Sequence, residues 1–431
     1  MQFARRVLLI GALAALTMLA TGAAFAQDET TLTVWDNFTR PAEQEMIEAL
    51  HAEFMDQYPG LTIVRESYET SDLTNLLPLA LSESTGPDVA MINQGIANMG
   101  ALVQAGLLLP LDNYADTYGW LDRYGEGLHN RNRFTEGAAQ FGEGDLYGVS
   151  NTAEVVGVYY HKDIFDEYGL SVPTTLEAFE SVAQTLLDAG VTPIAFGSLD
   201  GWPAIHEYGA LQNAYTTLDA LDSVIFRREG ATFADEANLR AAEKLVEWVD
   251  RGFFSEGFEG MDYDNATTGA FVNKDAAMWL TGSWMNGTIL ETLDEASVGF
   301  FLLPDEAGSE VPLATGGVGL AYGIRATTTE PDLAAAYIDM ITGERAAELL
   351  FEQGYLPAVA VDPAVLTEGT LTADVVNAWN AISSNNAVGH YLDWTIPYDE
   401  IVAALQELLG GQITPGEFTA NVEAVYLDSG Q

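Results

Sequence analysis

Apolar positions along the first hundred residues switch between a period of two and a period of about 3.6. "TLTVWDN" (residues 31–37) alternates and predicts a strand. "PAEQEMIEALHAEFMDQYPG" then sets Met46, Ile47, Leu50, Phe54 and Met55 on one helical face, with Pro59 and Gly60 as its stop. "LTIVRESY" predicts the next strand, "LTNLLPLALSEST" the next helix and "PDVAMIN" a short buried strand. A βαβαβ order of this kind builds parallel sheet, because helical crossovers return the chain to the same edge. The pattern resumes at "EVVGVYYHKDIFDEYGL" (154–170), followed by a helix from Thr174 with Thr175 and Glu177 as its cap, and by the strand "TPIAFG". Later come the helix "EKLVEWVDRGFF" ending at Gly252, "AAMWLTG", the strand "SVGFFLLP", a glycine-rich "TGGVGLAYGI" and the helix "DLAAAYIDMITG". The reading is α/β with two units. No repeat and no Pro/Ser-rich linker separates them, so ordered segments that can hinge are expected to join them.

One tryptophan breaks the pattern. In "DAAMWLTGSWMNG" (275–287) Trp284 follows a strand and stands between glycine, serine and an Asn-Gly turn signal. A ring there either plugs a corner between units or meets a ligand. Trp35, Trp248 and Trp279 fall inside periodic runs and read as core.

Length and composition narrow the class. At 431 residues with 48% hydrophobic content and no cysteine, the chain has a sizeable core and no disulfides. Residues 1–26 carry Arg5 and Arg6, an apolar run from Val7 to Ala20 and an Ala24-Phe25-Ala26 site, the plan of a Sec-type signal peptide. Without a cysteine after the site, a lipoprotein is not expected; a soluble, exported, periplasmic protein is. The net charge of −48, from 16 Lys+Arg against 64 Asp+Glu, disfavours nucleic acid and anionic membrane as partners. The acids are spread along the chain, which fits a surface kept hydrated in a saline habitat.

Several chemistries are missing. None of the three lysines follows a glycine, so there is no P-loop, and "GGVGLAYG" lacks the spacing of a dinucleotide fingerprint. The five histidines have no paired spacing, so neither a metal site nor a cofactor is expected. No G-x-S-x-G elbow occurs, and no catalytic residue is assigned. A glycosidase needs only two carboxylates, which spacing cannot pick out among 64 acids; a secreted carbohydrate-active enzyme is therefore the alternative from another class.

"LYGVSNTAEVVGVYYHKDIFDEYGLSVPTTLEAF" (146–179) and "FVNKDAAMWLTGSW" (271–284) resemble the family 1 extracellular solute-binding proteins of ABC sugar importers. "LTVWDNF", "GPDVAMIN", "GFFLLP" and "ERAAELLFEQGYLPA" (344–358) fall in the family's order, so the likeness runs through essentially the whole mature chain. It implies a two-lobe periplasmic-binding-protein fold, type II-like, with ligand in the cleft between lobes, hinge closure, and delivery to membrane permease subunits by a monomer. The lobes are expected over 27–150 with 300–341, and over 151–299 with 342–431.

Ligands of open α/β sheets collect beyond the carboxyl ends of strands. Asp36, Asn37 and Phe38 follow the first strand, Asn93 and Gln94 follow "PDVAMI", and Asp200 and Trp202 follow "PIAFGSL". By resemblance Glu154 and Asn37 stand where a carboxylate and an amide bind sugar hydroxyls, which both donate and accept. Trp284 stands where an indole lies against a pyranose, with core packing at a lobe seam as its other reading. Trp202 and Trp394 are the second and third expected walls, Trp394 beside Asp393 in "GHYLDWTIP". Asn151 and Tyr355, within the matched segments, and Asp393 are likewise expected to bind ligand. Gly316 and Gly317 are expected either to let backbone approach ligand or to make a tight turn. A neutral di- or oligosaccharide is expected, since an anion such as a glycerol phosphate wants more cations than Arg40 alone. Asn286 stands where a second indole can occur, which bears on ligand length.

Overall fold

The computed structural model describes residues 30–429, so the expected signal segment lies outside the described residues. Two sheets organise them. In the first, Leu61–Ser67, Thr30–Asp36 and Val89–Ile92 lie parallel, followed by Ala321–Ile324 and Val149–Ser150 in antiparallel pairing. The expected alternation in Thr30–Asp36 is real: Leu32, Val34 and Asp36 point to a buried face. The helix Pro41–Gln57 covers that face with Met46, Ile47, Leu50 and Phe54, starting where Arg40 N–H donates to Glu43 at 2.9 Å.

The second sheet is centred on Ala153–His161. It runs Val388–Gly389, Ala314–Val318, Ala153–His161, Ala276–Gly282 and Thr192–Ala195, with Val298–Phe301 also pairing with the central strand. Ala276–Gly282 is buried throughout, as its unbroken apolar run requires for a strand covered on both faces. The helix Leu176–Asp188 begins where Thr175 Oγ1 accepts from Ala178 N–H at 3.1 Å. Glu236–Arg251 ends at Gly252 in the left-handed conformation, as the Arg-Gly signal predicts.

Three short segments pass between the sheets. Asn151–Thr152 joins Val149–Ser150 to Ala153–His161, and Gly319–Leu320 joins Ala314–Val318 to Ala321–Ile324. The third is near Tyr355–Ala358, after a helix, Glu344–Glu352, that packs beside Pro41–Gln57. The crossings are bonded together. Gly319 N–H donates to Thr152 C=O at 2.8 Å, Ser150 Oγ to Gly319 C=O at 2.6 Å, and Ala358 N–H to Asn151 C=O at 2.9 Å. The changes of sheet thus differ from the divisions expected at residues 299 and 341. Val298–Phe301 and Ala314–Val318 stay in the second sheet because both pair with Ala153–His161, a register that local sequence does not encode.

Candidate functional site

A row of rings lines the second sheet's side of the space between the sheets. Trp202 opens the helix Trp202–Asn213 just beyond Thr192–Ala195, and Tyr263 opens the short turn Tyr263–Thr267. Their ring centroids are 4.2 Å apart at 60°. Trp284 follows Ala276–Gly282 and lies 6.0 Å from Trp202. Its indole folds back over Gly282, where an added Cβ would come within 1.9 Å of the ring. Glycine is therefore what allows the ring to lie there. The indole N–H donates to Tyr263 Oη at 2.9 Å, which fixes the plane of the ring. His206 stands 5.3 Å from Trp284 and 5.2 Å from Tyr391, extending the row along one helix. Trp202, His206 and Trp284 are all half-buried.

Glu154 lies at the near end of that row, two residues beyond the first crossing. Tyr391 Oη donates to Glu154 Oε2 at 3.3 Å. Burial raises the Glu154 carboxyl to about 7, against the lowering effect of the Tyr391 hydrogen bond. Burial likewise raises Asp393 to about 6 although the Asn93 side chain hydrogen-bonds it. That bond links a residue following the first sheet's Val89–Ile92 to one packed with the second sheet.

The facing wall comes from the first sheet. Phe38 is buried edge-on to Tyr355, with centroids 5.8 Å apart. Tyr355 Oη donates to Glu43 and accepts from Arg40 Nη1, the latter at 3.3 Å. The charge of Arg40 is felt across the gap. It counters the burial-driven rise of the Asp264 carboxyl, which Glu69 reinforces. The opposed walls thus carry aromatic faces, carboxyls raised by burial, amides and the Arg40 guanidinium.

Several expected residues do other work. Asp36 is fully buried and takes a bidentate pair from Arg65, both bonds 2.6 Å, while its Oδ1 also accepts from Phe38 N–H. With those oxygens occupied, it is a structural carboxylate rather than a ligand contact. Asn37 Nδ2 donates to Thr70 Oγ1 at 3.1 Å. Gln94 is buried and donates to Val318 and Gly319 C=O at 3.2 and 2.6 Å, so it ties the first sheet to a crossing. Asn151 is buried in the first crossing, with neither side-chain polar atom hydrogen-bonded. Asp200 Oδ2 accepts from Tyr263 N–H at 2.7 Å and so positions the ring row from behind.

Trp394 is corrected most clearly. It is 1% exposed, the Arg131 guanidinium carbon sits 5.1 Å from its ring centre, and a Cβ on Gly95 would lie 2.3 Å from its Cα. It is a plug between the sheets and not a free wall. Gly316 and Gly317 also have their own reason. A Cβ would come within 2.5 Å of Glu154 C=O at Gly316, and within 1.8 Å of Arg131 Nη1 at Gly317, so chain packing requires them. Asn286 is buried and its Oδ1 accepts from Tyr159 Oη at 2.6 Å. Trp248 and Trp279 are core as expected, and Trp35 is half-buried against Tyr68. Tyr263, His206 and Tyr391 were not singled out by sequence. Tyr263 lies in a turn without period, and the other two sit where helix or turn residues carry no local sign of facing a cleft.

Comparison with known proteins agrees with this architecture. A structure described as a chitin oligosaccharide binding protein superposes with a TM-score of 0.80 at 23% identity, covering 94% of this chain and 99% of that one. Another, the binding protein RafE in complex with raffinose, gives 0.73 at 20% identity over 93% and 100%. At such identities the likeness establishes the two-lobe fold. The multiple sugar-binding protein of Streptococcus mutans is 26% identical over 216 residues, 48% of this chain and 50% of that protein. The aligned part is thus about half the length of that relative. The family model described as bacterial extracellular solute-binding protein matches residues 36–348. Across most of its length, then, the chain belongs to the bacterial extracellular solute-binding proteins.

Proposed function

We propose that the protein binds a neutral sugar, a di- or oligosaccharide, between its lobes and delivers it to the transmembrane subunits of an ABC permease. The observation that carries this reading is the Trp284 indole, held flat over Gly282 by Tyr263 and flanked by Trp202, with Glu154 close to Tyr391 in the same wall. Aromatic faces accept the C–H side of a pyranose, and carboxylate and amide groups satisfy its rim of hydroxyls. The family and the names of its relatives support the same substrate class.

Binding proceeds without turnover. Two lobes, one on each sheet, meet at the three crossings, and ligand draws them together because it touches both. Shifting the lobes from 1:99 to 99:1 requires about 5.5 kcal/mol of preference for the closed form. Stacked rings and a few charge-assisted hydrogen bonds supply that order of energy. A periplasmic setting after signal cleavage, and action as a monomer, follow from the same reading. An anion such as a glycerol phosphate fits less well, since Arg40 is the guanidinium of the facing wall and Glu43 already pairs with it at 3.1 Å.

A thermal-shift panel of mono- and oligosaccharides in salt tests the proposal. A ligand at 100 times its dissociation constant raises stability by about 2.7 kcal/mol. Chromatography of the recovered sugar separates receptor from enzyme, because a receptor returns it unchanged. A panel without any shift, or a cleaved product, would reject the reading.

A further inference from the structure

The row of rings has two unlike ends. From Trp202 the centroids step to Trp284 at 6.0 Å, to His206 at 5.3 Å, to Tyr391 at 5.2 Å and to Trp394 at 5.2 Å. Exposure falls along the same course. Leu199, three residues before Trp202, is 56% exposed, and Trp202, His206 and Trp284 are half-buried. Tyr391 is 8% exposed and Trp394 1%. One end of the row meets solvent, and the other meets protein.

The buried end is covered by chain from the first sheet. Gly95, three residues beyond Val89–Ile92, has φ of 90°, and a Cβ there would stand 2.3 Å from Trp394 Cα and 2.6 Å from its C=O oxygen. Only glycine lets two backbones meet so closely. The Asn93 side chain hydrogen-bonds Asp393 beside that contact. Arg131, 2% exposed, donates to Gly316 C=O at 2.6 Å and to Gly389 C=O at 3.0 Å, with its guanidinium carbon 5.1 Å from the Trp394 ring centre. Backbone packed on backbone leaves no room for a sugar ring. A guest lying on Trp284 can extend past Trp202 but not past Tyr391.

Glu154 stands where the row is stopped, accepting from Tyr391 Oη at 3.3 Å. A terminal sugar residue carries a free hydroxyl where an internal residue carries a glycosidic bond. A buried carboxyl facing a blocked oxygen loses its partner, so hydrogen bonding and sterics exclude the same substituent. Resting on the cleft reading above, we propose that the site holds its saccharide by one chain end. The terminal residue lies beside Glu154 and Tyr391, the next lies over Trp284, and the chain leaves by Trp202. The substrate class is a short oligosaccharide, or a longer one held by its tip, and not an internal stretch of polysaccharide. Gly95 and Trp394 are positioning residues that set this limit.

Calorimetry with short malto-, cello-, xylo- and chito-oligosaccharides finds the series that binds. The best binder is then capped, as a nitrophenyl glycoside at its reducing end or as a benzyl ether at its non-reducing end. One cap should lower affinity about a hundredfold or more and the other less than about threefold. Equal tolerance of both caps, or equal loss with both, would overturn the proposal while leaving sugar binding in the cleft intact. Absence of binding by every series would reject the cleft reading and this inference together. Trp394→Ala, with folding checked by circular dichroism, should restore binding of the excluded cap about tenfold. Unchanged exclusion in the folded variant would overturn the seal. The comparison of caps on the parent protein decides the matter even where that variant fails to fold.

Discussion

The hydroxyl of Tyr263 accepts the indole N–H of Trp284 at 2.9 Å and stands 2.7 Å from Thr281 Oγ1 on the strand that leads to that tryptophan. One hydroxyl thus holds the ring plane against the sheet that carries it. Trp284→Ala should weaken binding of the best saccharide by about 2 kcal/mol or more, roughly thirtyfold, the scale of a hot-spot ring. Tyr263→Phe keeps the ring but frees its plane, and should lose about 1 kcal/mol. Calorimetry on both variants checks the order.

Gly282 offers a subtler probe of the same ring. An alanine Cβ would come within 1.9 Å of the Trp284 indole, so the ring must swing off its seat. Gly282→Ala should therefore lose saccharide affinity comparably to Trp284→Ala, while far-ultraviolet circular dichroism stays that of the parent. Unchanged affinity would show that the ring position is not what the ligand reads.

Glu154 makes stability depend on pH. Its carboxyl is raised to about 7 in the folded chain by burial, so the folded state holds a proton that the unfolded state releases near the ordinary glutamate value of 4.5. The group's contribution is complete below that lower value and is lost as pH rises through about 7. Glu154→Gln should flatten the fall in melting temperature between those limits relative to the parent. The difference between the two pH profiles isolates this group from the many other acids.

Asp36 and Arg65 form a buried pair whose loss should register in folding before binding. Asp36→Ala leaves a guanidinium half-stranded beneath Phe38 and should cost about 3–5 kcal/mol in urea unfolding. A variant of parent stability that had lost only sugar affinity would return Asp36 to the ligand.

The charge of −48 predicts its own experiment. Screening weakens repulsion among exposed carboxylates, so the melting temperature should climb from low to molar salt. A flat or falling curve would remove the saline interpretation of the composition.

Much of this architecture was legible in the chain because it is local. The buried face of Pro41–Gln57, the Thr175 cap and the Gly252 stop each arise from residues within a turn or two of one another. What eluded sequence depends on distant partners. Trp394 sits in a Pro-flanked turn that reads as open, yet Gly95, far away in the chain, closes over it. Asp36 ends a strand as a ligand residue might, but the parallel register sets Val34 opposite Arg65 and brings that guanidinium within reach. Tyr263 has no period to announce it, since its turn is irregular and its significance lies in Trp284.

Two of the three links between the sheets are brief: two residues at Asn151–Thr152, two at Gly319–Leu320, stitched to each other at 2.8 Å. Any swing of one sheet against the other pivots on that narrow axle, and displacement grows with distance from it. In such a swing Trp202 and Arg40, out on the walls, would be displaced more than Glu154, two residues past Thr152. On the proposed hinge reading, a sugar would therefore meet the Glu154 carboxyl in nearly the same place before and after closure.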